Sequence, residues 1–288
     1  RILSDVVSGA AFYVSIPKMK TNLYTGVTLG FKNAMGCLPT NLRYRDHNYN
    51  IDKKLVDLLY LLRPDLTVID GIVGAEGNVP APVDPVDAGL IISGTNSVET
   101  DRAATRIMGF DPQEIGLMRE ADDRGFGDPE VEVLGETDPV PWRRADTSVV
   151  SGRIAESFPG VRFLVGSSKN GAPELLSLDG VDIDTVRRME RSCPGGCLPT
   201  VIMAFTNYLY HRKGRPESVR VTVVLGEGAE LDGKRYYFDR DCKPYTREEI
   251  LTLEGPVVAA GNCTSWLEGH TRYFAGGCTA CVSKLVAA

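Results

Sequence analysis

No apolar run in this chain approaches the roughly 20 residues that a helix needs to cross a bilayer, and positive charge is not in excess. Lys and Arg number 32 against 38 Asp and Glu, for a formal charge of -6 and a pI near 5.3. That balance removes the electrostatic case for nucleic acid or anionic lipid as the main partner. The opening residues, Arg1 to Gly9, contain no signal-peptide core, so a cytoplasmic protein is expected. Because residue 1 is arginine and a strand pattern follows soon after, the chain reads as the remainder of something longer.

Several familiar motifs are missing as well. Gly74-Ala-Glu-Gly77 falls short of a dinucleotide fingerprint, no Walker lysine motif occurs, and Ser93-Gly94 and Ser167-Ser168 have no triad context. Asn262-Cys263-Thr264 matches a glycosylation pattern only formally, and no internal repeat or low-complexity tract is visible. Trp142 and Trp266 read as packing residues rather than stacking platforms.

Thiols are present and unevenly placed. Five of the seven cysteines fall in the last third of the chain, as Cys193-Pro-Gly-Gly-Cys197, Cys263 and Cys278-Thr-Ala-Cys281, all close to glycines. An odd count of glycine-flanked thiols in a chain of this size disfavours a secreted disulfide framework. Thiolates hold zinc or iron–sulfur clusters, and glycine beside them lets backbone amides approach the sulfurs. Either spacing alone fits structural zinc, redox thiols or buried cysteines; three loci in one region are more specific. The preferred reading is a [4Fe-4S] cluster held by Cys193, Cys197, Cys263 and Cys278, with Cys281 as a substitute ligand and zinc as the alternative metal. Three-thiolate ligation with one open iron is also compatible. Cys193 and Cys197 precede a helix with Pro199 in its first turn, a position that favours thiolate. Cys37 reads as a small buried thiol and Cys242 as incidental.

Short apolar runs alternating with helical periodicity describe a layered α/β N-terminal domain over 1–146, followed by a second, smaller α/β domain over 147–288 that bears the cysteines. In the first, Ala11 to Ile16 reads as a strand ended by Pro17, Ile51 to Leu62 as a helix, Leu66 to Ile69 as a short strand, and Gly71 to Gly77 as a glycine-rich stretch. Gly89 to Ser93 is a further strand, Val98 to Met108 a helix, and Pro112 opens another. In the second, Val161 to Val165, Val219 to Leu225 and Pro256 to Ala260 read as strands. Asp184 is read as the cap of a helix to Arg191, and a second helix spans Leu198 to His211.

The first half also collects polar residues at these element ends: Lys18, Lys20, Asn22, Thr25, Lys32, Asn33, His47, Asp70, Glu76 and Asp101. Lysines near glycine and threonine amides suit a carboxylate or phosphate, and His47 or Glu76 could move protons. Equally, lysines commonly cover surfaces and Asp70 could simply cap.

The wording of these loops is informative. Ile16-Pro-Lys-Met-Lys-Thr21, Val27-Thr-Leu-Gly-Phe-Lys-Asn-Ala-Met-Gly36, His47, Val68 to Gly77 and Gly89 to Asp101 resemble the family known as domain of unknown function 362, with the match continuing to about Gly127. Lys18, Lys20, Lys32, Asn33, His47, Asp70, Glu76 and Asp101 fit its pattern. Asn22 stands where the family commonly has a histidine, so no role for a histidine carries over. The resemblance implies an iron–sulfur association without locating the ligands or naming a reaction. The expected function is an enzyme in which Lys18, Lys20 and Lys32 hold a small anion, with Asp70 beside them and His47 or Glu76 handling protons. The reaction would be reduction with a closed cluster, or elimination or desulfuration with an open iron. The alternatives are an electron-transfer module that docks on a redox partner protein, and a zinc-stabilised binding protein.

Overall fold

The computed structural model describes residues 9–39, 49–79, 83–167, 175–193, 196–211, 215–271, 273–278, 280 and 285. The chain divides into two compact units, Arg1–Ala145 and Asp146–Ala288, each a layered α/β structure.

The first unit contains β1 (Val14–Ser15), β2 (Lys18–Asn22), β3 (Gly26–Thr28), α1 (Ile51–Leu59), β4 (Leu66–Gly77), β5 (Val83–Val86), β6 (Leu90–Gly94), α2 (Ser97–Ile107) and α3 (Gly116–Asp123). β4 is its axis. β1 and β2 pair with it in parallel, while β5 and β6 pair antiparallel. The β2–β4 register jumps between Lys18, opposite Asp70, and Lys20, opposite Ala75. Lys18 and Lys20 therefore lie on a strand and not in a strand exit, and the expected strand before Pro17 shrinks to Val14–Ser15.

The glycine-rich stretch after Ile69 is also strand. Its glycines are packing seats: a β-carbon on Gly71 would stand 2.7 Å from the Met19 sulfur, and one on Gly74 would stand 2.7 Å from the Met19 carbonyl and overlap the Trp142 ring. Met19 and Trp142 are both buried in the core that Phe31, Leu55, Ile69 and Met108 complete. α1 stops at Leu59, short of the expected Leu62, although Leu62 remains buried. α2 begins where Asn96 accepts from the amides of Val98 at 3.0 Å and Glu99 at 3.5 Å, as a capping residue should.

One α2 side chain ties the layers together. Asp101 is buried and accepts from the amides of Gly30 at 2.6 Å and Phe31 at 3.1 Å, closing the start of the 3-10 turn Phe31–Cys37. Burial pushes its carboxyl up to about 8 against those two hydrogen bonds.

The second unit contains α4 (Arg153–Ser157), β7 (Val161–Val165), α5 (Ile183–Arg191), α6 (Cys197–His211), β8 (Val221–Leu225), β9 (Ala229–Leu231), β10 (Lys234–Phe238), β11 (Pro244–Thr246), α7 (Arg247–Leu251), β12 (Val257–Ala260) and β13 (Tyr273–Ala275). β7, β8, β12 and β13 are parallel neighbours in that order, and their apolar, largely buried sequences suit a sheet covered on both faces. β10 extends the sheet antiparallel to β7 and carries β9 and β11. The cap of α5 is Asp182, which accepts from the Thr185 amide at 2.8 Å, and not Asp184. The β9–β10 hairpin was announced by Asp232-Gly233, whose φ angles of 50° and 72° suit a tight mirror-image turn, a signal the strand reading passed over. Among the described residues, no helix is long and apolar enough to cross a membrane.

Replacing Gly74 by Val should destabilise the first unit by about 1–3 kcal/mol, because the added carbons meet a buried ring and backbone; urea unfolding would measure it. Asp101 gives a second expectation. Its unfolded carboxyl loses a proton near 3.8 and its folded one near 8, so its contribution to stability falls as pH rises between those values. The stability advantage of wild type over Asp101→Asn should therefore narrow from pH 5 to pH 8. Denaturant midpoints for both proteins at the two pH values would check it.

Candidate functional site

Each parallel strand of the second unit runs straight into glycine: Val165-Gly166, Leu225-Gly226, Ala260-Gly261 and Ala275-Gly276. Gly226, Gly228, Gly261 and Gly277 have φ of 83°, 91°, 88° and 121°, backbone that residues with a β-carbon rarely adopt. A β-carbon on Gly166 or Gly226 would collide with the facing loop's backbone, so these turns pack main chain against main chain. In open α/β sheets, the carboxyl ends of the strands are where ligands bind.

The thiols gather at that edge. Cys197 is the first residue of α6, Cys193 follows α5, Cys263 sits in the 3-10 turn Asn262–Leu267 after β12, and Cys278 follows β13. The Cys193 and Cys263 thiols are hydrogen-bonded, and this contact, with burial and the nearby Cys193, Glu227 and Cys197 charges, raises the Cys263 pKa. Burial pushes the Cys197 thiol up to about 12; the Ala280 amide, which donates to its sulfur at 3.4 Å, works in the opposite direction, and Cys193 and Cys278 add to the rise. Burial thus acts against the thiolate that the helix start was expected to favour at Cys197.

A β-carbon on Gly261 would stand 2.7 Å from the Cys197 sulfur. The loops after β12 and β13 are cross-linked in their main chains, Gly261 N–H to Ala275 O at 2.9 Å and Asn262 N–H to Gly277 O at 3.1 Å, and Gly277 N–H donates to the Asn262 side-chain oxygen at 2.7 Å.

These contacts bring Cys193, Cys197, Cys263 and Cys278 together. They are pairwise; among the described residues, no three His, Cys, Asp or Glu side chains form a ready-made ion site. None of the six described cysteines is in a disulfide. Cys281 lies outside the described residues. Cys37 is half-buried beside the Tyr13 hydroxyl, and Cys242 occupies a left-handed position, φ 60°, in the turn closed by Asp239.

Sequence reading missed the residues around the thiols. Glu227 follows Gly226, and its carbonyl accepts from the Arg247 guanidinium at 3.1 Å. That guanidinium also lies 5.0 Å from the Trp266 ring centroid, a cation–π contact. Trp266 donates to the Tyr237 hydroxyl at 2.9 Å. Burial pushes the Tyr237 hydroxyl up to about 12. Trp266 thus packs, and Trp142 is buried in the first unit.

The first-half polar residues separate into distinct groups. Lys18 pairs with Asp70 at 2.5 Å, and Asp70 also accepts from the Ile72 amide at 3.1 Å; both bonds hold the Asp70 carboxyl below its ordinary value. Glu76 accepts from the Arg143 amide at 2.6 Å and faces its guanidinium, which also pairs with Asp84. Asn22 and Thr25 close the β2–β3 turn, the Asn22 oxygen accepting from the Tyr24 and Thr25 amides. Asn33 donates to the Ser15 hydroxyl at 3.3 Å. His47 lies outside the described residues.

Lys20 and Lys32 do come together. Burial first, and then the like charge of Lys20, bring the Lys32 amine down to about 8, with Asp52 opposing both. Asp52, unremarked in the sequence, is itself raised to about 6, chiefly by burial, and one of its carboxylate oxygens is buried without a hydrogen bond.

Residues 2–106 match the family model described as Domain of unknown function (DUF362). That stretch covers β1 to β6 and most of α2, and with them both lysine groups; the cysteine-bearing unit falls outside it. The chain is also 31% identical over 123 residues to a thylakoid-associated protein of Synechocystis sp., a match covering 40% of this chain and 38% of that relative's length. No solved structure matches the chain.

The Lys32 amine should titrate near pH 8, followed by heteronuclear NMR of the lysine side chains. Lys20→Gln should raise that midpoint and Asp52→Asn should lower it, because the first removes a like charge and the second an opposite one.

Proposed function

We propose that this chain is an iron–sulfur protein whose second unit holds a [4Fe-4S] cluster through Cys193, Cys197, Cys263 and Cys278, and whose first unit binds a small anion at Lys20 and Lys32. The observation that carries the cluster is a chain of pairwise approaches among four thiols, from three separate turns at the carboxyl edge of one parallel sheet. The residues fit such a group in two respects. All four donors are soft thiols, and Gly261 leaves open the volume beside Cys197 that any β-carbon would fill. Burial opposes ionisation of the Cys197 and Cys263 thiols, and a bound metal would take the place of their protons.

Four thiolates complete a closed cluster, so the chemistry it supplies when bound is one-electron transfer rather than Lewis-acid catalysis at an open iron. The protein's own groups do the rest. The packed glycine turns fix the thiol positions, and the Ala280 amide directs its hydrogen at the Cys197 sulfur.

In the first unit, half-buried Lys20 and Lys32 lie within electrostatic reach of one another, a repulsion that a carboxylate or phosphate would relieve. Lys18 is a weaker candidate for that anion because Asp70 already engages it. Reduction of a small anionic substrate, or electron exchange with a protein partner, is the function this arrangement supports.

Protein purified without oxygen should be brown, with about four iron and four sulfide per chain and a paramagnetic signal that appears on dithionite reduction. Changing Cys193, Cys197, Cys263 or Cys278 singly to Ser should lower the iron content, whereas Cys242→Ser should not. Colourless protein containing zinc would replace this reading with a zinc-stabilised binding protein.

A further inference from the structure

We infer that Asn262 is a positioning residue, one that sets the reduction potential and the durability of the cluster proposed above by holding the Cys278 turn against the Cys263 turn. The inference rests on that cluster assignment. Asn262 lies between Gly261 and Cys263, at the start of the 3-10 turn. Its side-chain oxygen accepts from the Gly277 amide at 2.7 Å, and its own amide donates to the Gly277 carbonyl at 3.1 Å. Gly277 is thereby gripped at both of its polar main-chain groups, one residue before Cys278.

The grip matters because it holds the backbone of the residue immediately before Cys278. Gly276 and Gly277 have no side chains to pack, and Gly277 sits at φ 121°, which confers freedom as well as shape. Two residues beyond Cys278 in sequence, the Ala280 amide donates to the Cys197 sulfur at 3.4 Å. One side chain therefore fixes the relation of Cys263 to Cys278 and, through the chain beyond Cys278, the placement of a hydrogen-bond donor on Cys197. Hydrogen bonds to the sulfurs of an iron–sulfur centre stabilise its more negative, reduced state and so raise its potential. Asn262 is exposed and outside the hydrophobic core, so its bond to Gly277 serves local geometry more than global stability.

The test uses the full chain, prepared without oxygen, as wild type, Asn262→Leu and Asn262→Asp. Leu fills a similar volume and accepts nothing; Asp keeps the acceptor for Gly277. Iron and sulfide per chain, the midpoint potential from a dithionite titration, the rate of cluster loss in air and the thermal unfolding of each protein would be measured. N262L should show a more negative potential and several-fold faster cluster loss at an unchanged unfolding temperature, and N262D should keep the wild-type durability. Should N262L fail to fold, Asn262→Ser, too short to reach Gly277, carries the same expectation. A wild-type potential and lifetime in the variant lacking the acceptor would overturn the inference alone. Wild-type protein devoid of iron and sulfide would sink the cluster assignment first and this inference with it.

Discussion

The sulfur of Cys197 stands 2.7 Å from where a β-carbon on residue 261 would be, too close for one to fit, and the arrangement of the second unit's sheet edge depends on that exclusion. Only glycine satisfies both demands at this position: a φ of 88° and no side chain against the thiol. The strands before it are apolar and buried, so they can be pushed together by ordinary hydrophobic burial. What decides the chemistry is the main chain beyond their ends, where four successive turns open with glycine and two of them present cysteine within three residues.

Glycine has a different use in the first unit. Along β4 it is not a turn former but an absence of bulk that admits Met19 and Trp142 to the sheet. Charged groups in and beside the resulting core are strongly constrained: Asp101 is pushed toward its neutral form while it closes the turn at Gly30, the buried Arg102 pairs with Asp122, and the partly buried Asp52 and Lys32 are each shifted toward their uncharged forms. A pair of lysines is tolerable there because burial and mutual repulsion shift Lys32 toward its neutral form.

Much of this architecture is written locally. α2 follows from Asn96 and an apolar repeat, and β6, β7, β8 and β12 from short apolar runs bounded by glycine or proline. The proximity of the four thiols is also traceable to sequence, since Cys263 and Cys278 each trail a strand and Cys197 opens a helix. β4 was read too short because its glycines are explained only by side chains more than fifty residues away in sequence. Lys18 and Lys20 were placed in a loop because Pro17 looked like a terminator, whereas the chain resumes a strand directly after it. Asp52 and Glu227 carry no motif and Asn262 only a formal one; their importance comes from neighbours that only the tertiary structure supplies.

The placement of β4 bears on how the first unit is assembled. Its partners are drawn from both sides of it in sequence: β1 and β2 precede it, β5 and β6 follow. A nascent chain emerging from the ribosome therefore carries β1 and β2 for some forty residues before their shared neighbour exists, and β6 joins only once Gly94 has been made. Such distant pairings slow folding because loop entropy is lost before contacts compensate for it. Until then Met19, fully buried in the finished unit, remains uncovered, which makes the interval before β4 is synthesised one in which these strands are open to wrong associations.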